Sequence, residues 1–198
     1  MKLLVATGNP GKLREFAAAL ARLNVEVVGL ESLSDATSVE ETGATFLDNA
    51  KLKAEVFSRR TDLPVLADDS GLEVDALEGR PGVLSARFGG PQLSDTARAK
   101  AVLKGLVDVP DTQRNARFHC ALAVARGGRT LATFEGTVEG MILRELRGKN
   151  GFGYDPIFLY PDAGRTFAEM APEEKAALSH RGRALAALAR ALEQGLLS

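Results

Sequence analysis

Apolar residues follow two rhythms along this chain, one of unbroken runs and one of helical spacing. Leu3, Leu4 and Val5 form a run closed by Gly8, which predicts a buried strand over residues 2–7. From residue 12 the spacing changes to threes and fours. Leu13, Phe16, Leu20 and Leu23 share one helical face, so residues 12–23 are predicted as a helix. A second strand follows at 26–30, then a polar loop at 35–43. Phe46, Ala50, Ala54 and Phe57 predict a helix over 45–60, with Thr45 as its cap and Asp48 as a weak capping-box partner. Residues 63–67 read as a third buried strand ending in Asp68-Asp69-Ser70-Gly71, and 72–74 as short and extended.

The second half alternates in the same way. Residues 78–82 (EGRPG) are turn chemistry, and Ser94 caps a helix over 94–106. Segments 117–126 and 129–139 flank Gly127-Gly128 and predict a β-hairpin. A Gly-rich loop at 148–156 leads into a strand at 157–159. Pro172, Glu173 and Glu174 open a helix over 172–177, suited to the positive end of its dipole. Ser179 caps a last helix with a Leu185, Leu188, Leu192 seam. Helices interleaved with strands and one hairpin predict an α/β fold with a mixed sheet and flanking helices. With no repeat or long linker, residues 1–198 read as a single domain.

Composition narrows the function. Apolar residues are 45% of the 198, enough for a core. The net charge of −1 argues against a general nucleic-acid binder, which carries a basic excess, but leaves room for a site binding one triphosphate. The single cysteine, Cys120, excludes an intrachain disulfide and a four-cysteine zinc site; it lies in an apolar run and reads as a core residue. His119 in the same predicted strand reads as structural. No run approaches the ~18 apolar residues of a membrane span, so the expectation is a soluble, cytoplasmic protein.

Four motifs carry chemistry. Thr7-Gly8-Asn9-Pro10-Gly11-Lys12 joins a strand to a helix, where helix N–H groups and the Lys12 charge can cradle phosphates. It is neither a Walker A loop nor a dinucleotide fingerprint. Glu40-Glu41 reads either as a solvated helix start or as a metal ligand on a loop. Asp68-Asp69 stands at the carboxyl end of a buried strand, where α/β sheets bind ligands, and its hard oxygens suit Mg²⁺. Neighbouring residues of an extended strand face opposite ways, and spacing alone does not say which carboxylate is the reactive one. The fourth cluster is Gly151-Phe152-Gly153-Tyr154-Asp155-Pro156 with Lys175, His180 and Arg181: an aromatic platform for a base, with donors and an acceptor nearby.

These motifs together resemble the inosine/xanthosine triphosphate pyrophosphatase family. The likeness rests on TGNPGK at 7–12, SVEETGATFLDNAKLKA at 38–54, LADDSGLEVDALEGRPGVLSARF at 66–88, GFGYDPIF at 151–158 and EEKAALSHRG at 173–182. The resemblance implies a mixed α/β fold with an elongated central sheet, its two lobes enclosing a nucleotide cleft. It implies a homodimer, Mg²⁺ dependence, and hydrolysis of ITP, dITP and XTP to monophosphate and pyrophosphate. It implies that Thr7, Gly8, Asn9, Pro10, Gly11 and Lys12 hold the triphosphate and that Ser70 touches substrate. Glu40 and Asp69 would serve the metal, Asp69 also accepting the proton. Phe152, Gly153, Tyr154, Asp155, Lys175, His180 and Arg181 would bind the base. Donors there would pair with the C6 oxygen of hypoxanthine or xanthine and be left unpaired by the amino group of adenine. The rival readings are a pyrophosphatase for modified pyrimidine nucleotides and a nucleotide sensor without turnover.

Overall fold

A computed structural model describes residues 1–197. In chain order its main elements are β1 (Lys2–Val5), α1 (Pro10–Leu20), β2 (Glu26–Val28), α2 (Phe46–Ser58), β3 (Val65–Val74) and α3 (Asp95–Gly105). Then come β4 (Asn115–Arg126), β5 (Arg129–Ile142), β6 (Phe158–Tyr160), β7 (Arg165–Thr166), α4 (Pro172–Leu178) and α5 (His180–Glu193). The strands form a seven-stranded sheet in the order β2-β1-β3-β4-β5-β6-β7. β1 pairs in parallel with β2 and β3, whereas β6 is antiparallel to both β5 and β7. The predicted α/β class with a mixed sheet and flanking helices is therefore observed. No helix among the described residues is long and apolar enough to cross a membrane.

Two strands outrun their predicted ends. β3 does not stop at Ala67 but continues through Asp68-Asp69-Ser70-Gly71 to Val74. Charge is tolerated inside it because each carboxylate finds partners on its own side of the strand. β5 continues past Glu139 to Ile142, keeping the alternation that buries Val138, Gly140 and Ile142. A Cβ at Gly140 would lie 2.5 Å from the Leu159 carbonyl oxygen, so β6 lies close against this end of β5.

The chain divides into two compact units. The first comprises Met1–Asp69, Cys120–Gly136 and the segment from Arg181 onward; the second comprises Ser70–His119 and Thr137–His180. In the first, Leu3, Val5 and Leu66 pack with Phe16 and Leu20 of α1, with Cys120, Leu122 and Val124 of β4, and with Leu185 and Leu188 of α5. Cys120 is fully buried, and burial pushes its thiol up to about 12. The second unit packs α3 (Ala99, Val102) against Leu72, Val74, Phe118, Val138, Phe158 and Phe167. Arg114 ties α3 to the end of β5 there. Its guanidinium donates to the carbonyls of Leu106 at 2.6 Å, Ile142 at 2.8 Å and Leu143 at 2.8 Å. A buried cation is thus matched by backbone acceptors in place of a carboxylate.

Candidate active site

In the first unit, β1 delivers the chain to the TGNPGK segment and α1 begins at Pro10, whose missing N–H costs nothing at a helix start. Asn9 caps the helix. Its Oδ1 accepts from Gly11 N at 2.8 Å and Lys12 N at 3.2 Å, while Thr7 Oγ1 accepts from Asn9 N. The first-turn amides expected to face a phosphate are therefore already engaged by the cap, since a capping side chain competes for the same donors. Gly8 remains exposed, with nothing within 4 Å of where a Cβ would stand.

Lys12 reaches Asp68, with Nζ 2.7 Å from Oδ2. Arg181 approaches the same oxygen at 3.5 Å and holds Glu15 at 2.6 Å. The Asp68 and Arg181 side chains are only 1% and 2% exposed. Burial alone would raise the Asp68 carboxyl, but Lys12, then Arg181 and Lys53, overturn this and hold it far below the usual carboxylate range. Arg181, expected beside the base, is placed in the first unit with Asp68 and Glu15.

Asp69 meets different company. Asn49 Nδ2 donates to its Oδ2 at 2.9 Å, and Lys53 Nζ lies 3.9 Å from Oδ1. The same ammonium is 2.5 Å from Glu41 Oε1. Burial, reinforced by the Glu41 charge, raises Asp69 to about 6 against the pull of Lys53 and the Asn49 bond. Glu40, beside Glu41, is exposed. Asn49 and Lys53 escape the motif reading, and Glu41 enters it only as the neighbour of Glu40. A signal for the first two exists: they stand at the same helical spacing as Phe46, Ala50, Ala54 and Phe57, so they are polar residues on a buried stripe.

The donor chemistry here fits a hard divalent cation. Carboxylate oxygens of Asp69 and Glu41 flank one ammonium. No group of three or more His, Cys, Asp or Glu side chains that could hold a metal occurs among the described residues. One or two carboxylates completed by substrate phosphates are what Mg²⁺ usually takes.

In the second unit, the Gly-rich loop folds around Asp155. Its Oδ2 accepts from Phe152 N at 2.8 Å and from Lys175 Nζ at 2.7 Å. The Lys175 ammonium also lies over the Phe152 ring, 4.5 Å from its centroid. Only glycine fits at 151, where φ is +73° and a Cβ would fall 2.0 Å from Asp155 Oδ2. Asp95, at the start of α3, accepts from Gly153 N at 2.7 Å and anchors the loop tip. Tyr154 is buried and its hydroxyl donates to the Ser85 carbonyl at 2.8 Å. His180 is buried and stacked on Phe118, with ring centroids 4.7 Å apart. Ser70 is half-buried in β3. The structure thus groups Phe152, Asp155 and Lys175, and separately groups Lys12, Asp68 and Arg181, and Asp69 with Asn49, Lys53 and Glu41.

The pattern of the Ham1 family matches residues 3–191. The chain is 54% identical over 187 residues to a dITP/XTP pyrophosphatase of Geobacillus kaustophilus, covering 94% of this chain and 92% of that protein. Its fold is similar to that of a HAM1 protein from Coxiella burnetii, with a TM-score of 0.88 at 42% identity, covering 98% of this chain and 100% of the other. It is also similar to a nucleoside-triphosphatase, dITP/XTP pyrophosphatase, from Mycobacterium abscessus, with a TM-score of 0.76 at 49% identity, covering 95% and 98% of the two chains.

Proposed function

The chain belongs to the Ham1 family, and from that premise we propose that it is a nucleoside triphosphate pyrophosphatase acting on non-standard purine nucleotides. It hydrolyses ITP, dITP and XTP to the monophosphate and pyrophosphate, and so removes them from the nucleotide pool. The observation that carries this reading is the contrast between two consecutive carboxylates. Asp68 is held ionised by Lys12 and Arg181, whereas Asp69 is raised to about 6. Neighbouring groups pushed apart in this way mark one for a fixed charge and the other for proton transfer. Asp69 is the proton acceptor for the attacking water, titrating near the pH at which a general base works best.

Asp69 and Glu40 hold Mg²⁺ in this proposal, with Glu41 the carboxylate linked to Asp69 through Lys53. The chemistry supplied by a bound divalent cation is neutralisation of the charge that develops on the departing pyrophosphate. Thr7 to Lys12 and Ser70 bind the phosphate chain, Lys12 bringing a cation already ordered by Asp68. The protein works as a single functional domain, as a homodimer, in the cytoplasm; the length of 198 residues supports the single domain and the motif resemblance the homodimer.

Phe152, Gly153, Tyr154, Asp155, Lys175, His180 and Arg181 serve the base in this reading. Lys175 is the residue best suited to read the C6 oxygen, because Asp155 and the Phe152 ring hold its ammonium in place. Lys175→Ala is expected to reduce the preference for dITP over dATP in kcat/KM by roughly 10-fold or more, the effect of losing one matched donor. The double variant Lys175→Met/Asp155→Asn, which removes both buried charges, guards against a simple folding defect. Undiminished discrimination in folded protein would place base reading elsewhere.

A nucleotide panel with product identification tests the whole reading. Incubation with dITP, XTP, dATP, dGTP and a modified dUTP, with and without MgCl₂, is expected to yield monophosphate and pyrophosphate from dITP and XTP only when magnesium is present. Release of inorganic phosphate, preference for the pyrimidine, or binding without product would each reject it.

A further inference from the structure

Two side chains of α2 reach both acidic segments of the first unit: Lys53, which is charged, and Asn49, which is neutral. Asn49 is fully buried on α2, and both ends of its amide are used. Nδ2 donates to Asp69 Oδ2 at 2.9 Å, and Oδ1 accepts from the Gly43 backbone N–H at 2.7 Å. The orientation of the amide is dictated by its partners. Turned over, it would set an N–H against the Gly43 N–H and an oxygen against a carboxylate, two repulsions in place of two bonds. Gly43 follows directly on Glu40-Glu41-Thr42, so this one amide ties the backbone of the acidic segment to the carboxylate on β3. The fit is close: a Cβ at Gly43 would stand 2.7 Å from Asn49 Oδ1.

From this geometry we propose that Asn49 is a positioning residue for the reaction. Its amide fixes which oxygen of Asp69 is engaged and holds the Glu40–Glu41 segment at a constant separation from that carboxylate. By occupying Oδ2 it turns Oδ1 toward Lys53, 3.9 Å away. The inference rests on the role given above to Asp69 and adds the residue that aims it. Misplacement of a catalytic group by an ångström lowers turnover without changing what the site binds.

The test pairs Asn49→Ala with Thr45→Ala. The second variant weakens the start of the same helix without touching Asp69, and so serves as a control for lost stability. Steady-state turnover of dITP and binding of its non-hydrolysable α,β-methylene analogue are measured well below each variant's Tm. Asn49→Ala is expected to lose on the order of 10–100-fold in kcat while its Kd for the analogue stays within about 3-fold. Thr45→Ala is expected to keep kcat within about 2-fold. Gly43→Ala keeps the amide but sets a methyl 2.7 Å from its oxygen, 2.7 Å from Asp48 Cβ and 2.9 Å from Asn49 N, so the first turn of α2 must give way as well. It should show the same kcat-selective loss, and it decides the matter if Asn49→Ala does not fold. Normal kcat in folded Asn49→Ala, a loss lying wholly in Kd, or an equal kcat loss in Thr45→Ala overturns the proposal. Turnover surviving in Asp69→Asn would overturn the premise as well. Loss in Asp69→Asn with intact turnover in Asn49→Ala would overturn the positioning role alone.

Discussion

Asp69→Asn is expected to lower kcat by at least ~100-fold, the scale of a lost general base, while leaving the folded protein as stable as the parent or more so. The two halves of this expectation have one cause. Burial and the Glu41 charge raise the Asp69 carboxyl to about 6, so the folded state disfavours the charged form. A raised carboxylate costs stability above its folded value and costs nothing below its unfolded value near 4. The asparagine amide carries no charge at any pH, and its oxygen can still accept from Asn49 Nδ2. At pH 8 and without metal the variant should therefore gain on the order of 3 kcal/mol, the free energy that separates a carboxyl titrating near 4 from one titrating at about 6. The gain should shrink as pH falls through 6 and vanish near 4. Thermal unfolding at several pH values, with kcat measured alongside, checks both halves. A variant that is inactive but less stable at pH 8 would mean that Asp69 supports the fold instead of straining it.

Its neighbour should behave in the opposite way. Asp68→Asn is expected to destabilise the protein by roughly 3–5 kcal/mol, the cost of leaving a buried charge without its partner. Arg181, fully buried, would keep Glu15 but lose Asp68, and Lys12 would lose the carboxylate 2.7 Å away. In a chain of this size that is a fall in Tm of about 10 °C. The sign with pH is reversed as well. The Asp68 carboxyl is held well below its ordinary value, so its contribution is present in full above about pH 4 and is lost as pH falls through the folded value. The parent should lose stability steeply in acid, and Asp68→Asn should flatten that limb. Equal acid sensitivity in the two proteins would show that Asp68 is not the group whose protonation opens the first unit.

Much of this can be read from residues alone. Helical spacing locates α1 and α2, unbroken apolar runs locate β1 and the start of β3, and Gly127-Gly128 places the turn between β4 and β5. The opposed directions of Asp68 and Asp69 follow from strand geometry and are seen in their separate partners. Where sequence and structure part, long-range pairing is the reason. β3 passes through two aspartates because Lys12, Arg181, Asn49 and Lys53, distant in sequence, supply what burial demands. Arg181, which the resemblance assigns to the base, is paired with Asp68 and Glu15, both distant from it in sequence. The amides at the start of α1 look available to phosphate, yet a cap and an anion compete for the same donors, and the letters TGNPGK do not say that Asn9 has taken them. Asn49 and Lys53 read as ordinary helix residues, although polar groups on an apolar stripe must find partners when buried.

The sealed thiol in β4 offers a way to watch the first unit breathe. Cys120 is the only cysteine of the chain, so alkylating reagents have a single target. Its full burial and its reluctance to ionise keep maleimide or iodoacetamide from reacting with the closed form. Each labelling event then counts an excursion in which the strands around Leu66 and Leu122 part from α1 and α5. Slower labelling in the presence of substrate analogue would register how tightly a bound nucleotide clamps that interior.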